Sequence, residues 1–102
     1  MENKIQRIEQ MEKILNDHSS NIENLKKQLS IFRESQKNYS KLSDYYSSKE
    51  YFSDLESYDR GELPENLQCG VLSEDAVFDL IGENFNLAVE MLEIATSIIK
   101  NH

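Results

Sequence analysis

The sequence predicts an all-α fold, a helical hairpin or three-helix assembly. A long N-terminal helix packs antiparallel against a C-terminal helix, and a short middle helix joins them. Three observations support this class. Apolar residues recur at alternating steps of three and four, which is the spacing of one helix face. The three glycines and the one proline lie outside the first long apolar pattern. Capping residues precede both later helices, and residues 1–102 are expected to form one domain.

The first predicted helix covers about residues 3–46. Its apolar residues follow a heptad pattern in two rows, which are Ile8, Leu15, Ile22 and Leu29, then Met11, Leu25, Phe32, Tyr39 and Tyr46. His18, Gln36 and Ser43 interrupt the pattern, and residues 16–21 are poor in strong helix formers. Because the heptad phase continues across that stretch, we predict one continuous helix that needs a partner helix.

The second predicted helix covers about residues 48–59. Ser47 and Glu50 fit a capping box, and Tyr46 and Tyr51 occupy the positions of a hydrophobic staple. Gly61 is expected to supply the left-handed residue that ends the helix. The side chains predicted to be buried are Phe52, Leu55 and Tyr58.

The third predicted helix covers about residues 74–100, after a linker over residues 61–72. Ser73 is the expected N-cap, and Leu72 and Val77 can form a staple across it. The apolar face comprises Val77, Leu80, Ile81, Leu87, Ala88, Met91, Ile94, Ala95 and Ile98, and Phe85, Leu92 and Ile99 widen it. This helix is shorter than the first and cannot cover all of its apolar pattern. We therefore predict a homodimer formed through helix packing.

The net charge of −8 is unevenly distributed. Residues 1–46 carry eight basic and seven acidic side chains, whereas residues 47–102 carry three basic and twelve acidic ones. Nucleic acids and anionic membranes need a basic face, so we expect neither as a partner. No apolar stretch has the length of a signal peptide or a membrane span, and the single Cys69 fits a reducing compartment. These features predict a cytoplasmic protein.

Two groups of residues are candidates for binding a partner. The candidate interface consists of aromatic residues around the predicted turn between the first two helices, namely Tyr39, Tyr45, Tyr46, Tyr51 and Phe52. Tyrosine suits an interface because its ring can be buried while its hydroxyl stays wet. The candidate acidic face lies at the start of the third helix and comprises Glu74, Asp75, Asp79 and Glu83. These carboxylates either compensate the helix dipole or dock a basic partner, and the first interpretation is favoured.

Residues typical of catalysis or metal binding are few. His18 lies within the heptad pattern, and Cys69 has no cysteine or histidine at ligand spacing. Two glutamate pairs have a spacing of three, Glu9 with Glu12 and Glu90 with Glu93. This spacing is also found at the magnesium sites of all-helical nucleotide pyrophosphohydrolases, but surface charge is the favoured interpretation. We predict no catalytic residue, metal or cofactor, which favours a role other than catalysis.

Three segments resemble one known family. They are Tyr45-Tyr46-Ser47-Ser48, Leu63-Pro64-Glu65-Asn66-Leu67, and the run GVLSEDAVFDL over residues 70–80. Through them nearly the whole chain is similar to the domain-of-unknown-function family 4298, small proteins of bacteria and their phages. Tyr51 stands where the resemblance implies tryptophan, and Cys69 where it implies a basic residue. The resemblance implies a helical fold and a cytoplasmic setting and leaves the function open.

The sequence thus favours a small cytoplasmic helical protein that self-associates and acts as a protein–protein interaction module, with a further protein partner not identified. One alternative is an acidic regulator or inhibitor that binds a basic surface on its partner. A second alternative, much less favoured, is a metal-dependent nucleotide hydrolase built on the glutamate pairs.

Overall fold

A computed structural model of the chain describes residues 1–73 and 75–102. The described residues form three α-helices and a short 3-10 helix, with no strand. Helix α1 spans Glu2–Tyr46, α2 spans Lys49–Asp59, the 3-10 helix spans Gly70–Leu72 and α3 spans Ala76–Lys100. This confirms the predicted all-α class and the order of a long, a short and a C-terminal helix. In the described part of the chain, no helix is both long and apolar enough to cross a bilayer.

The chain divides into two units, Met1–Tyr39 and Ser40–His102. The first unit consists of most of α1, and the second holds the last turns of α1 together with α2, the 3-10 helix and α3. The prediction of one domain over residues 1–102 stays a prediction.

Helix α1 is unbroken over 45 residues, so the predicted continuity through residues 16–21 is confirmed. Two ion pairs join exposed side chains one turn apart on this helix. The Lys13 ammonium lies 2.7 Å from the Asp17 carboxylate, and the Lys37 ammonium lies 3.1 Å from the Glu34 carboxylate. Such exposed pairs each add only a few tenths of a kcal/mol, roughly 0.2–0.5. None of the residues of α1 is buried, so its own turns supply most of its order.

The turn between α1 and α2 is capped by Ser48, one residue later than predicted. The Ser48 hydroxyl accepts a hydrogen bond from the Tyr51 amide at 3.2 Å and donates one to the Tyr45 carbonyl at 2.6 Å. The Ser47 hydroxyl instead donates to the Ser43 carbonyl at 3.2 Å. The predicted capping box is therefore wrong, because the Ser47 side chain is engaged with the last turn of α1.

The end of α2 has the predicted left-handed glycine. Gly61 has a φ of +71°, and no other described residue has a positive φ. Its amide donates to the Tyr58 carbonyl at 3.0 Å, and the Glu62 amide donates to the Ser57 carbonyl at 3.0 Å. These two bonds form a Schellman motif, which satisfies carbonyls that the helix end would otherwise leave without partners.

The core of the second unit is small. Among the described residues only Tyr51 of α2, Leu72 of the 3-10 helix and Val77 of α3 are buried. Helices α2 and α3 each contact the 3-10 helix, so this short segment joins them. Leu72 and Val77 are the two residues of the predicted staple, and both lie in this core.

The predicted burial of Phe52 is wrong. Its side chain is 64% exposed, whereas that of the preceding Tyr51 is 6% exposed. Consecutive helical residues point about 100° apart, so only one of the two rings can face the core. Of the other residues predicted to be buried, Leu55 is half-buried and Tyr58 is exposed.

Helix α3 begins at Ala76, two residues later than predicted. The predicted capping side chain nevertheless acts there, because the Ser73 hydroxyl accepts a hydrogen bond from the Ala76 amide at 3.3 Å. Ser73 has extended backbone angles, as an N-cap residue requires. Glu74, which was expected to open this helix, lies outside the described residues.

Alanine substitutions at two glycines should change stability in opposite directions. Gly61→Ala should lower the free energy of unfolding by about 1 kcal/mol, because an L side chain is strained at a positive φ. Gly82→Ala should raise it by about 1 kcal/mol, because Gly82 lies inside α3 with nothing within 4 Å of an added Cβ. Urea unfolding followed by circular dichroism measures both changes in the free energy of unfolding. If Gly61→Ala raised it as Gly82→Ala does, the role given to Gly61 would be contradicted.

Candidate functional site

Four of the five candidate interface residues come together around the turn between α1 and α2. The ring of Tyr51 lies 5.6 Å from that of Tyr45, 5.1 Å from that of Tyr46 and 5.6 Å from that of Phe52, measured between centroids. All three contacts are edge-on, the arrangement that aromatic quadrupoles favour. We call these four residues the aromatic cluster. Tyr39 is half-buried and belongs to the first unit, Met1–Tyr39.

The members of the aromatic cluster differ in exposure and therefore in what they can do. Tyr51 is buried at its centre and holds the turn, while Tyr45 and Tyr46 are half-buried around it. Phe52 is exposed and is the member most accessible to a partner. The cluster thus combines a structural centre with one free apolar edge.

A hydrogen bond across the turn between α1 and α2 raises the pKa of Tyr45. Its hydroxyl donates to the Asp54 carboxylate at 2.6 Å. This bond, together with desolvation and the negative charge of Asp54, raises the pKa of Tyr45 to about 12. The neutral phenol can donate this hydrogen bond and the tyrosinate cannot, so the folded state favours the protonated form. Sequence reasoning missed Asp54, because no local pattern relates it to a tyrosine in the preceding helix.

The candidate acidic face is exposed at each of its described positions, Asp75, Asp79 and Glu83. Glu74 lies outside the described residues. Asp79 sits in the first turn of α3, where the helix dipole favours a carboxylate. Their surroundings therefore fit both dipole compensation and the docking of a basic partner.

The side chains considered for chemistry do not form a ligand cluster. Within residues 1–73 and 75–102, no group of three His, Cys, Asp or Glu side chains is arranged to hold a metal ion. His18 is exposed on α1, and Cys69 is half-buried with its thiol donating to the Leu67 carbonyl at 3.5 Å. The glutamate pairs Glu9/Glu12 and Glu90/Glu93 are exposed.

A row of apolar side chains on α1 is open to solvent. We call it the α1 seam and define it as Ile8, Met11, Leu15, Ile22, Leu25 and Leu29. Each of these side chains is between 43% and 59% exposed. Single exposed apolar residues are ordinary, whereas a row of six that is interrupted only at His18 is a candidate interaction surface.

Helix α3 carries two apolar rows. We call the first the α3 stripe and define it as Val77, Leu80, Leu87, Met91, Ile94 and Ile98. Only Val77 is buried and Met91 half-buried, and the other four are exposed. A second row repeats every seven residues through Phe78, Phe85, Leu92 and Ile99, all at least 65% exposed. Sequence reasoning missed Phe78, although its spacing of seven from Phe85 was a usable signal.

The raised pKa of Tyr45 makes stability fall at high pH. The unfolded tyrosine ionises near 10, before the folded one does, so stabilisation is complete below that pH and is lost between about 10 and 12. Asp54→Asn should lower the pKa of Tyr45, because it removes the charged acceptor. Ultraviolet difference titration of tyrosinate measures this shift. Asp59→Asn removes the same charge from the same helix and should leave the pKa of Tyr45 raised. If Asp59→Asn also lowered the pKa of Tyr45, the shift could not be assigned to the hydrogen bond with Asp54.

Two comparisons with known proteins bear on identity. No curated protein matches the chain. A family model with the description "Domain of unknown function (DUF4298)" matches residues 8–94. The match starts at Ile8 of the α1 seam and ends at Ile94 of the α3 stripe, so it includes α2 and most of both long helices. It confirms the resemblance seen in the sequence, and the chain belongs to the DUF4298 family.

Proposed function

We propose that this protein is a protein–protein interaction module that associates with itself through its helices. The observation that carries the proposal is the exposure of the α1 seam. The seam extends over 22 residues from Ile8 to Leu29, a rise of about 32 Å along the helix. A helix with a narrow apolar row of heptad spacing is typical of one that pairs with another helix.

The free energy available from covering the seam is comparable with the cost of association. Complete burial of an aliphatic side chain is worth about 1.5–3 kcal/mol. About half of that remains to be gained at each seam position, since each is roughly half exposed. Six positions on each of two copies together approach or exceed the cost of association, which is on the order of 4–15 kcal/mol.

The small core gives a second reason for self-association. The described residues bury only Tyr51, Leu72 and Val77, and none of these lies in α1. Chains of this size bury a limited fraction of their surface, and many gain stability by oligomerising. Self-association would cover apolar surface on α1 and α3 that is exposed in the protomer.

We place this module in the cytoplasm and expect a further protein partner for its remaining surface. The free thiol of Cys69 supports a reducing compartment. The exposed carboxylates of Asp75, Asp79 and Glu83 support a second candidate function, an acidic regulator that binds a basic surface. That second function requires a basic partner protein, whereas self-association requires only this chain.

A substitution in the α1 seam should weaken self-association, and the same substitution outside the seam should not. Ile22 lies in the seam and is 44% exposed, whereas Ile31 of the same helix lies off the seam and is 62% exposed. Ile22→Asn should weaken association roughly tenfold or more, because it places a polar amide in the contact. Sedimentation equilibrium over a range of protein concentrations measures this.

Ile31→Asn is the matched control and should leave the association constant within about twofold of the wild type. A wild-type protein of monomeric mass at every concentration would refute self-association. Equal effects of the two substitutions would show that the seam is not the contact.

A further inference from the structure

We propose that the α1 seam is covered by the same seam of a second copy, and that the two helices run antiparallel. The inference rests on the proposed self-association and adds the surface, the orientation and the register of the contact. A two-fold axis relates the two seams, so each residue contact occurs twice in the dimer.

The apolar rows of α1 are complementary to themselves in one antiparallel register. In this register, facing residues have numbers that add up to 40, so the contact extends over residues 1–39, the first unit of each copy, for about 57 Å. Each position in the first row of the heptad pattern then meets a position in the second row. Four apolar layers form on each side of the two-fold axis. They join Met1 to Tyr39, Ile8 to Phe32, Met11 to Leu29 and Leu15 to Leu25.

The charges beside the seam change from acidic to basic along the helix. One flanking position of the heptad holds, in chain order, Glu12, Ser19, Lys26 and Arg33, and all four are exposed. We call these four residues the charged flank. Lys26 and Arg33 line a shallow groove together with the seam residue Leu29, which places them at the edge of the seam. Because its acidic end precedes its basic end, the charged flank is complementary to itself when the two helices run in opposite directions.

The register that aligns the apolar rows also aligns these charges. Glu12 lies at the level of residue 28 of the second copy, so Lys26 and Arg33 of that copy are about 3 Å and about 7.5 Å away along the axis. Long basic side chains reach over both distances. The flanking row on the other side of the seam brings no like charges together, since Arg7 is its only charged member within residues 1–39.

A parallel pair in register would match these residues less well. It would set Lys4 against Lys4 and His18 against His18 of the second copy. It would also leave Lys26 and Arg33 opposite neutral residues of the other flanking row. The antiparallel register instead separates the two lysines and sets His18 beside Ile22, so the charges favour the antiparallel orientation.

Sliding the antiparallel pair by one heptad makes the contact worse in either direction. One shift sets the seam residue Leu29 against Lys4 of the second copy. The other shift sets Met11 against Gln36 and brings Lys26 of one copy within about 8 Å of the second Lys26 along the axis. The proposed register avoids both faults.

Distances between spin labels test the orientation. Asn3 and Asn24 are exposed and occupy the same heptad position, three heptads apart. Each is changed to cysteine in a Cys69→Ser background and labelled with a nitroxide. In the proposed register the two copies of residue 3 are about 51 Å apart along the axis and those of residue 24 about 12 Å. Double electron–electron resonance should therefore give a distance about 30 Å longer for Asn3→Cys than for Asn24→Cys, whereas a parallel dimer would give equal distances.

Charge reversal tests the register. Glu12→Lys alone, and Lys26→Glu with Arg33→Glu, should each weaken association about tenfold, because each change brings like charges together at both ends of the dimer. All three changes in one chain should restore the association constant to within about threefold of the wild type. Residues 12 and 26 are about 21 Å apart within one helix, so this restoration requires contact between copies. Sedimentation equilibrium measures each constant.

A matched control separates position from net charge. Glu9→Lys makes the same charge change as Glu12→Lys, at an exposed position outside both flanking rows. It should leave the association constant within about twofold of the wild type. Circular dichroism checks that each variant stays helical. If the reversal variants unfold, the spin-label distances, which are measured at exposed asparagines, still decide the orientation.

The outcomes distinguish this inference from the function on which it rests. A wild type that is monomeric at every concentration would overturn both. A wild type that self-associates but gives equal label distances, or gives no distance between labels on α1, would overturn only the antiparallel seam. The predicted label distances without restoration by the triple change would overturn the charge-matched register.

Discussion

The open α1 seam is the constraint on which the rest of this structure depends. Six apolar side chains lie in one row over three heptads of a helix that buries none of its residues. A helix of this length has strong local order, but exposing a row of apolar side chains to water costs free energy. The proposed self-association would cover this seam and thereby stabilise the protein.

The second unit, Ser40–His102, buries only a few of its apolar side chains. Tyr51 is buried within the aromatic cluster, and the 3-10 helix brings Leu72 between α2 and α3. These contacts hold the turn after α1 and the start of α3. The remaining face of α3 stays open and carries two rows of apolar side chains. The proposed self-association would cover this exposed apolar surface, which the small core of the protomer leaves open.

Local sequence signals predicted the helices well but misplaced some side chains. The heptad phase predicted an unbroken α1, and Gly61 predicted the end of α2. Both features depend on residues within a few positions of each other in the sequence. The predicted N-cap of α2 was Ser47, one residue before the actual cap at Ser48. Either serine could cap the helix by its sequence, but the Ser47 hydroxyl is hydrogen-bonded to the last turn of α1 and the Ser48 hydroxyl is bonded to the first turn of α2. The predicted burial of Phe52 is also wrong, because Tyr51 faces the core and Phe52 does not. The hydrogen bond from Tyr45 to Asp54 links two helices and has no local signature.

The sequence by itself determined the class of fold, the extent of the helices and the positions of the apolar rows, because periodicity and capping act over single helical turns. Only the tertiary structure decided which of these side chains are covered. It left the α1 seam and most of the α3 stripe in water, and it made Tyr51 rather than Phe52 the centre of the turn. Burial depends on contacts between segments far apart in the chain, and a periodic pattern states that a face needs a partner without stating which surface supplies it.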